Sequence, residues 1–205
     1  MKFRIAKPSD APQIARAYKT CYNSAPNAFL PTLGERFLRQ YHRILLSEPA
    51  SIGLVAEDDA GKVVGFACGT LDASSHLARL KKAKWKLALS ALPAIVKNPK
   101  LIRAMRERMS APSASSGENG FVVANGCRLE SWGWIESNRA GGQSIQLLRA
   151  WLDTSRALGA RDIWLEVDQD HVGRIHKMMG AQPYREVVTR DGRRRRIMRY
   201  PAGEA

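Results

Sequence analysis

The sequence predicts one mixed α/β domain, a central mixed sheet flanked by helices, with a basic helical insertion at 74–120. Three observations predict it. Two apolar, β-branched-rich runs, Ile52–Glu57 and Val63–Leu71, meet at Asp58-Asp59-Ala60-Gly61-Lys62, which is a hairpin signal. An extended aromatic run ending near Ile135 breaks at a small-residue turn and continues as a helix, with Ile145, Leu148, Leu152 and Leu158 at helical spacing. A third buried strand, Asp162–Val167, is followed by a hairpin about Asp191-Gly192. The length of 205 residues suits a single domain, since domains commonly hold about 50 to 250 residues.

The elements follow in order. Lys2–Ala6 alternates polar and apolar residues, as a half-buried strand does. Pro8-Ser9-Asp10 supplies a turn and an N-cap for a helix with Ile14, Ala17, Tyr18 and Cys21 on one face. A second helix follows Pro31-Thr32, burying Leu33, Phe37, Tyr41, Ile44 and Leu45, and Ser47-Glu48-Pro49 ends it. From Ser74 to Met109 the apolar residues keep helical spacing among ten lysines and arginines, with Glu107 the one acidic residue; Pro93 and Asn98-Pro99 should divide the segment. Residues 112–120, rich in Ser, Gly and Ala, read as a connection.

Phe121–Ile135 leads into the central strand. Simple alternation places Glu130, Trp132 and Trp134 on one face and Leu129, Ser131 and Gly133 on the other. For the tryptophans, core packing is the plain alternative to a ligand role. Gly159 is placed for a left-handed helix stop. Val172, Ile175, Met178 and Met179 give the face of a short helix, and Tyr184–Thr189 and Arg194–Tyr200 are the closing strands.

Composition narrows the function classes. No apolar run approaches the roughly 20 residues of a membrane span, and the amino-terminal residues lack a signal peptide's apolar segment. Cys21, Cys68 and Cys127 are few, odd in number and set in apolar surroundings, so they read as packing residues of a reduced, cytoplasmic protein. The net charge of +14 requires a cause: nucleic acid, an anionic membrane surface, or an anionic substrate or cofactor. Nucleic acid is disfavoured because the basic residues are not interleaved with aromatics in a recognised binding signature. The basic insertion has four readings: a flap with solvated lysines, a lid over a substrate, a contact with an anionic membrane surface through 77–108, or an oligomer contact such as a homodimer's.

The turn after the central strand carries the chemistry. The first amides of a helix lack intrahelical acceptors and sit at the positive end of its dipole, so a glycine turn there can cradle a phosphate. Arg139, Gly142 and Ser144 form an Arg-x-x-Gly-x-Ser pattern at this turn. It resembles the (Gln/Arg)-x-x-Gly-x-(Gly/Ala) pyrophosphate loop of the GCN5-related N-acetyltransferase (GNAT) superfamily, with Ser144 departing from the preferred Gly or Ala. The resemblance covers 3–71 and 128–200 and leaves the insertion outside it.

That resemblance implies acetyl-CoA as co-substrate and a primary amine of a small molecule, such as an amino sugar, as acceptor. It implies that Arg139, Ala140, Gly141, Gly142, Gln143 and Ser144 hold the pyrophosphate. It further implies that the backbone of Trp134, Ile135 and Glu136 holds the pantetheine arm, with Gly133 open to close approach. Glu130 is the candidate base, with Glu166 second. His176, where the family shows a tyrosine, is the candidate acid as an imidazolium, and Tyr184 stands in reserve. For Glu130 and His176 the plain alternative is a surface residue with no role. Two rival readings stay open: an aminoacyl-tRNA-dependent transferase of the same fold, and a non-catalytic protein binding CoA or nucleic acid.

Overall fold

The computed structural model describes residues 1–22, 28–109, 125–135, 142–188 and 194–202. Strands β1 (Lys2–Ile5), β2 (Ser51–Glu57), β3 (Val63–Thr70), β4 (Cys127–Trp134), β5 (Ile163–Val167), β6 (Gln182–Val188) and β7 (Arg194–Tyr200) form one sheet. Its spatial order is β1-β2-β3-β4-β5-β7-β6. All neighbouring pairs run antiparallel except β4 and β5, the parallel pair at its centre.

Helices cover both faces. On one lies α6 (Gln143–Ala157), whose Leu147, Leu148, Trp151 and Leu152 pack on Leu54, Leu129, Trp134, Ile163 and Leu165. Trp151 is fully buried and its Nε1 donates to the Ile52 carbonyl at 3.0 Å, so the largest core side chain leaves no polar atom unmatched. On the other face, α1 (Ala11–Tyr22) and α2 (Gly34–Leu46) pack on Val55, Phe66 and Cys68. Burial pushes the Cys68 thiol up to about 12 and the Cys127 thiol up to about 11, as expected of packing residues.

The insertion forms α3 (Ala73–Lys82), α4 (Lys84–Lys97) and α5 (Lys100–Met109). Asp72 caps α3 by accepting from the amides of Ser74 and Ser75. A buried pair, His76 Nδ1 to Glu48 Oε2 at 3.0 Å, pins the insertion to the chain leaving α2. The principal contacts of α4 are with α2, with the turn at Leu30–Leu33 and with its own neighbours.

Several expectations needed correction. Pro93 does not end a helix: α4 runs through it, because Pro93 lies on the exposed side where water can satisfy the carbonyl it leaves unpaired. The divisions fall at Ala83 and Asn98-Pro99 instead. α6 stops at Ala157, leaving Leu158 exposed as its cap, and Gly159 follows with φ +92°, the left-handed stop expected. In α2, His42 is fully buried and Ile44 only half-buried. In α7 (Asp170–Met178) the buried positions are Gly173 and His176, while Met178 is exposed. The Asp191-Gly192 turn and the segment 112–120 lie outside the described residues.

Candidate active site

The site begins where the central pair comes apart. β4 and β5 are paired only at Cys127 with Ile163 and at Arg128 with Trp164. Beyond that point β4 stays with β3 as far as Trp134, and β5 stays with β7 as far as Val167. A wedge opens between two strands whose facing edges no longer serve each other. Such an edge is a template for an extended, amide-bearing ligand.

Register identifies which groups face the wedge. The Ile135 amide donates to the Val64 carbonyl at 2.9 Å, so Ile135 is committed to β3. Strand alternation then directs the backbone groups of Trp132 and Trp134 toward the β5 side. An independent contact agrees, since the Trp132 carbonyl accepts from the Tyr22 hydroxyl at 2.7 Å, outside the ladder. Of the three residues expected to hold a ligand through their backbones, Trp134 has the right direction, Ile135 does not, and Glu136 lies outside the described residues.

A β-bulge changes the side-chain pattern. Ser131 pairs with Cys68 and Leu129 with Gly69, so Glu130 is an extra residue on β4. The bulge reverses the phase of alternation: Leu129 and Trp134 both join the core beneath α6, although five positions apart. Glu130 therefore does not share a face with Trp132 and Trp134. It lies on the opposite face, its Oε1 3.2 Å from Arg128 Nε and its Oε2 3.4 Å from the Tyr41 hydroxyl. Gly133 also differs from expectation, because a Cβ there would stand 2.7 Å from the Phe66 ring; the glycine makes room for Phe66, not for a ligand.

Around Glu130 lies a partly buried charged network. Arg128 Nη2 donates to Glu166 Oε1 at 2.6 Å, and Arg195 Nη1 reaches Glu166 Oε2 at 3.2 Å. Burial works against the charge on Arg128, but Glu130 and Glu166 outweigh it and hold its pKa above the ordinary value. Burial raises the Glu166 carboxyl, with the two arginines opposing. Tyr41 stays a neutral phenol because burial raises it well above its usual range, and Tyr22 does likewise. The sequence marks Tyr41 only as a buried residue of its helix and gives Arg128 and Tyr22 no site role. The alternation around Arg128 and Glu130 was the available signal, but their partners come from distant segments.

His176 stands on the α6 face. Its Nδ1 lies 2.7 Å from the Tyr200 hydroxyl, its ring meets Trp132 edge-on, and it is 2% exposed. Burial pushes its pKa down to about 4, so the expected imidazolium is not its state at neutral pH. Tyr184 is 62% exposed and packs on Trp164, beside the segment where β4 and β5 are still paired.

At the mouth of the wedge stands the start of α6. Gly142, its N-cap, has φ +81°, a conformation that favours glycine, and its carbonyl accepts from Ile145 and Gln146. The amides of Gln143 and Ser144 fall in the first turn, without intrahelical acceptors. The Trp132 indole donates to the Ser144 carbonyl at 3.1 Å, tying β4 to this turn. Gln143 Oε1 is buried without a partner among the described residues, a polar atom that a ligand here could satisfy. Arg139, Ala140 and Gly141 lie outside the described residues.

A mixed seven-stranded sheet, split at one central parallel pair and bulged beside the split, defines the class: the chain has the fold of the GNAT acetyltransferases. A histone acetyltransferase HPA2 and related acetyltransferase from Corynebacterium glutamicum superposes with a TM-score of 0.61 at 18% identity, covering 100% of this chain and 97% of that one. A ribosomal-protein-alanine N-acetyltransferase from Brucella melitensis gives 0.59 at 16%, covering 98% and 99%. A phosphinothricin acetyltransferase from Sinorhizobium meliloti, solved in complex with AcCoA, gives 0.58 at 16%, covering 100% and 89%. No family model matches the chain, and no curated protein matches it in sequence. The likeness is one of fold.

Proposed function

We propose that this chain is an acetyl-CoA-dependent N-acetyltransferase that acetylates a primary amine of a small molecule by direct attack in a ternary complex. One observation carries the reading: β4 and β5 part with the Trp132 and Trp134 backbones directed toward the wedge, and the glycine-capped start of α6 stands at its mouth. A neighbour of this fold is solved with AcCoA, which supports the same co-substrate here.

The residues fit that group. Trp134 would hold an extended pantetheine arm through its backbone, and the amides of Gln143 and Ser144, with Gly142, would meet the pyrophosphate. Arg139, Ala140 and Gly141 are assigned to the same loop by sequence, and Glu136 to the strand end. When bound, acetyl-CoA supplies the activated acetyl group.

The chain's own groups do the rest. We assign Glu130 as the base for the ammonium proton, because among the described residues Oε2 has only a long contact with Tyr41. Glu166 has both oxygens taken by arginines, which makes it second. A backbone amide of β4 facing the wedge would stabilise the oxyanion. For the proton returned to sulfur, Tyr22 takes precedence over His176 and Tyr184 by position, since its hydroxyl stands at the Trp132 carbonyl on the wedge side of β4.

Calorimetric titration with acetyl-CoA tests the reading. Saturable binding is expected, weakened at least about tenfold in Gly142→Val, since valine at positive φ drives the unliganded turn out of the conformation that presents its amides, a population cost of about 1–2 kcal/mol. No binding by the native protein overturns the proposal and favours an aminoacyl-tRNA donor or a non-catalytic role.

A further inference from the structure

Helix α4 is apolar on two sides about 130° apart, and among the described residues only one is covered. Ala91, Leu87 and Ile95 pack against Phe37 and Tyr41 of α2. On the far side Trp85, Leu89, Leu92 and Val96 are all exposed, Trp85 by 72% and Val96 by 78%. Their spacing of four, three and four residues aligns them within an arc of about 60° at 100° per residue, so they form one continuous stripe. Ile102 of α5 is exposed as well.

The charge around the stripe is strongly basic. From Ala73 to Met109 the chain carries ten lysines and arginines and one acidic residue, Glu107. Lys84 and Lys86 flank Trp85 and are exposed, with the Lys84 ammonium 5.7 Å from the indole centroid. Beside the stripe, between α2 and α4, lies a groove of about 330 Å³ lined by Arg36, Arg39, Gln40, Lys86, Leu89 and Ser90. Three cations thus meet at a notch whose rim includes a stripe residue, Leu89. Glu35 offsets Arg39 at 3.4 Å; among the described residues Arg36 and Lys86 have no ion-pair partner.

We propose that the α4 face is a docking surface for an anionic phospholipid bilayer. Trp85, Leu89, Leu92 and Val96 enter the interface, and the groove and surrounding lysines take the phosphate headgroups. An amphipathic helix parallel to a membrane needs this combination of an apolar stripe with an aromatic residue, edged by lysines. A second copy of the chain meeting the same face would set Lys84, Lys86 and Lys97 of α4 against their own like charges. RNA would account for the charge but has no use for a row of Leu, Leu and Val. The inference is independent of the acetyl-transfer reading.

Co-sedimentation with vesicles tests it, using phosphatidylcholine alone and phosphatidylcholine with about 30% phosphatidylglycerol. The native protein is expected to partition onto the anionic vesicles at least about tenfold more strongly, less so as salt rises. Trp85→Ser/Leu89→Ser/Val96→Ser should lose most of that binding, and Lys84→Glu/Lys86→Glu should lose its lipid selectivity. In the native protein, bromine-labelled acyl chains should quench a component of tryptophan fluorescence that Trp85→Phe removes, a readout free of folding artefacts. Four outcomes would overturn the proposal: no difference between the two vesicles, stripe variants that bind as the native protein does, binding of inorganic phosphate or RNA without vesicle binding, or native self-association that the stripe substitutions abolish.

Discussion

The two faces of the sheet at β4 are built from one eight-residue strand, yet they do opposite work. Beneath α6, Leu129 and Trp134 meet Leu147, Leu148 and Trp151 in a dry core. On the other face Arg128, Glu130, Glu166, Arg195 and Tyr41 form a linked set of charges and a phenol. Glu130, the bulged residue, marks the change of phase between them. The comparison teaches that one inserted residue can separate scaffold from chemistry without a new element: a fixed apolar wall on one side holds titratable groups in place on the other.

The apolar face should be the more sensitive to truncation. Trp151→Ala removes the largest fully buried side chain and its hydrogen bond to Ile52, and should destabilise by about 4 kcal/mol. Urea unfolding checks it; a loss below about 1 kcal/mol would show that the core beneath α6 is loosely packed and break the contrast. On the charged face, Arg128→Met leaves Glu130 and Glu166 partly buried without their shared cation and should cost about 3 kcal/mol. Adding Glu166→Gln should recover part of that loss. If it does not, the network is not the coupled unit described above.

How much of this was legible depended on range. The hairpin at 58–62 and the strands at 128–134 and 163–167 rest on local periodicity and turn residues, and the sheet contains them; the helix expected after the central strand is α6. Glu130 was located but put on the wrong face, because a bulge is a two-strand property set by the pairing of Cys68 and Gly69. His176 was placed on the right helix with the wrong charge, since its desolvation depends on the packing of Trp132 and Tyr200 around it. The α4 stripe was invisible for a related reason: a helix apolar on both sides does not say which side its neighbour covers.

The faces can also be compared by titration, for each holds a histidine whose pKa burial lowers. His42 sits in α2 against Tyr18 and Phe66, and His176 sits against Trp132 and Tyr200; burial lowers each from 6.5 to about 4. Between those values the unfolded chain binds protons that the fold excludes, so stability is complete above pH 6.5 and falls as pH drops toward 4. Each histidine contributes a loss on the order of 3 kcal/mol across that window. Glu166, with its carboxyl raised by burial, acts in the opposite sense and offsets part of it. His176→Phe should flatten the acid limb of unfolding free energy against pH. An unchanged limb would mean that the α6 side admits water to this ring, and the two faces would then differ less than their packing indicates.

The smallest expected effect on stability falls where the effect on chemistry should be greatest. Glu130→Gln keeps the shape of the side chain and a hydrogen-bonding oxygen toward Arg128, and Glu166 remains to balance that cation, so the unfolding free energy should change by about 1 kcal/mol, less than Arg128→Met costs. A carboxamide cannot take a proton from an ammonium group. With an amine acceptor identified by screening, kcat should fall by about 10² to 10⁴, with acetyl-CoA affinity unchanged. The residual rate should rise with pH toward the pKa of the free amine, because the enzyme then depends on acceptor already deprotonated in solution. If Glu130→Gln retains full turnover while Glu166→Gln loses it, the base belongs to β5, and the bulge serves only to turn Trp132 and Trp134 toward α6.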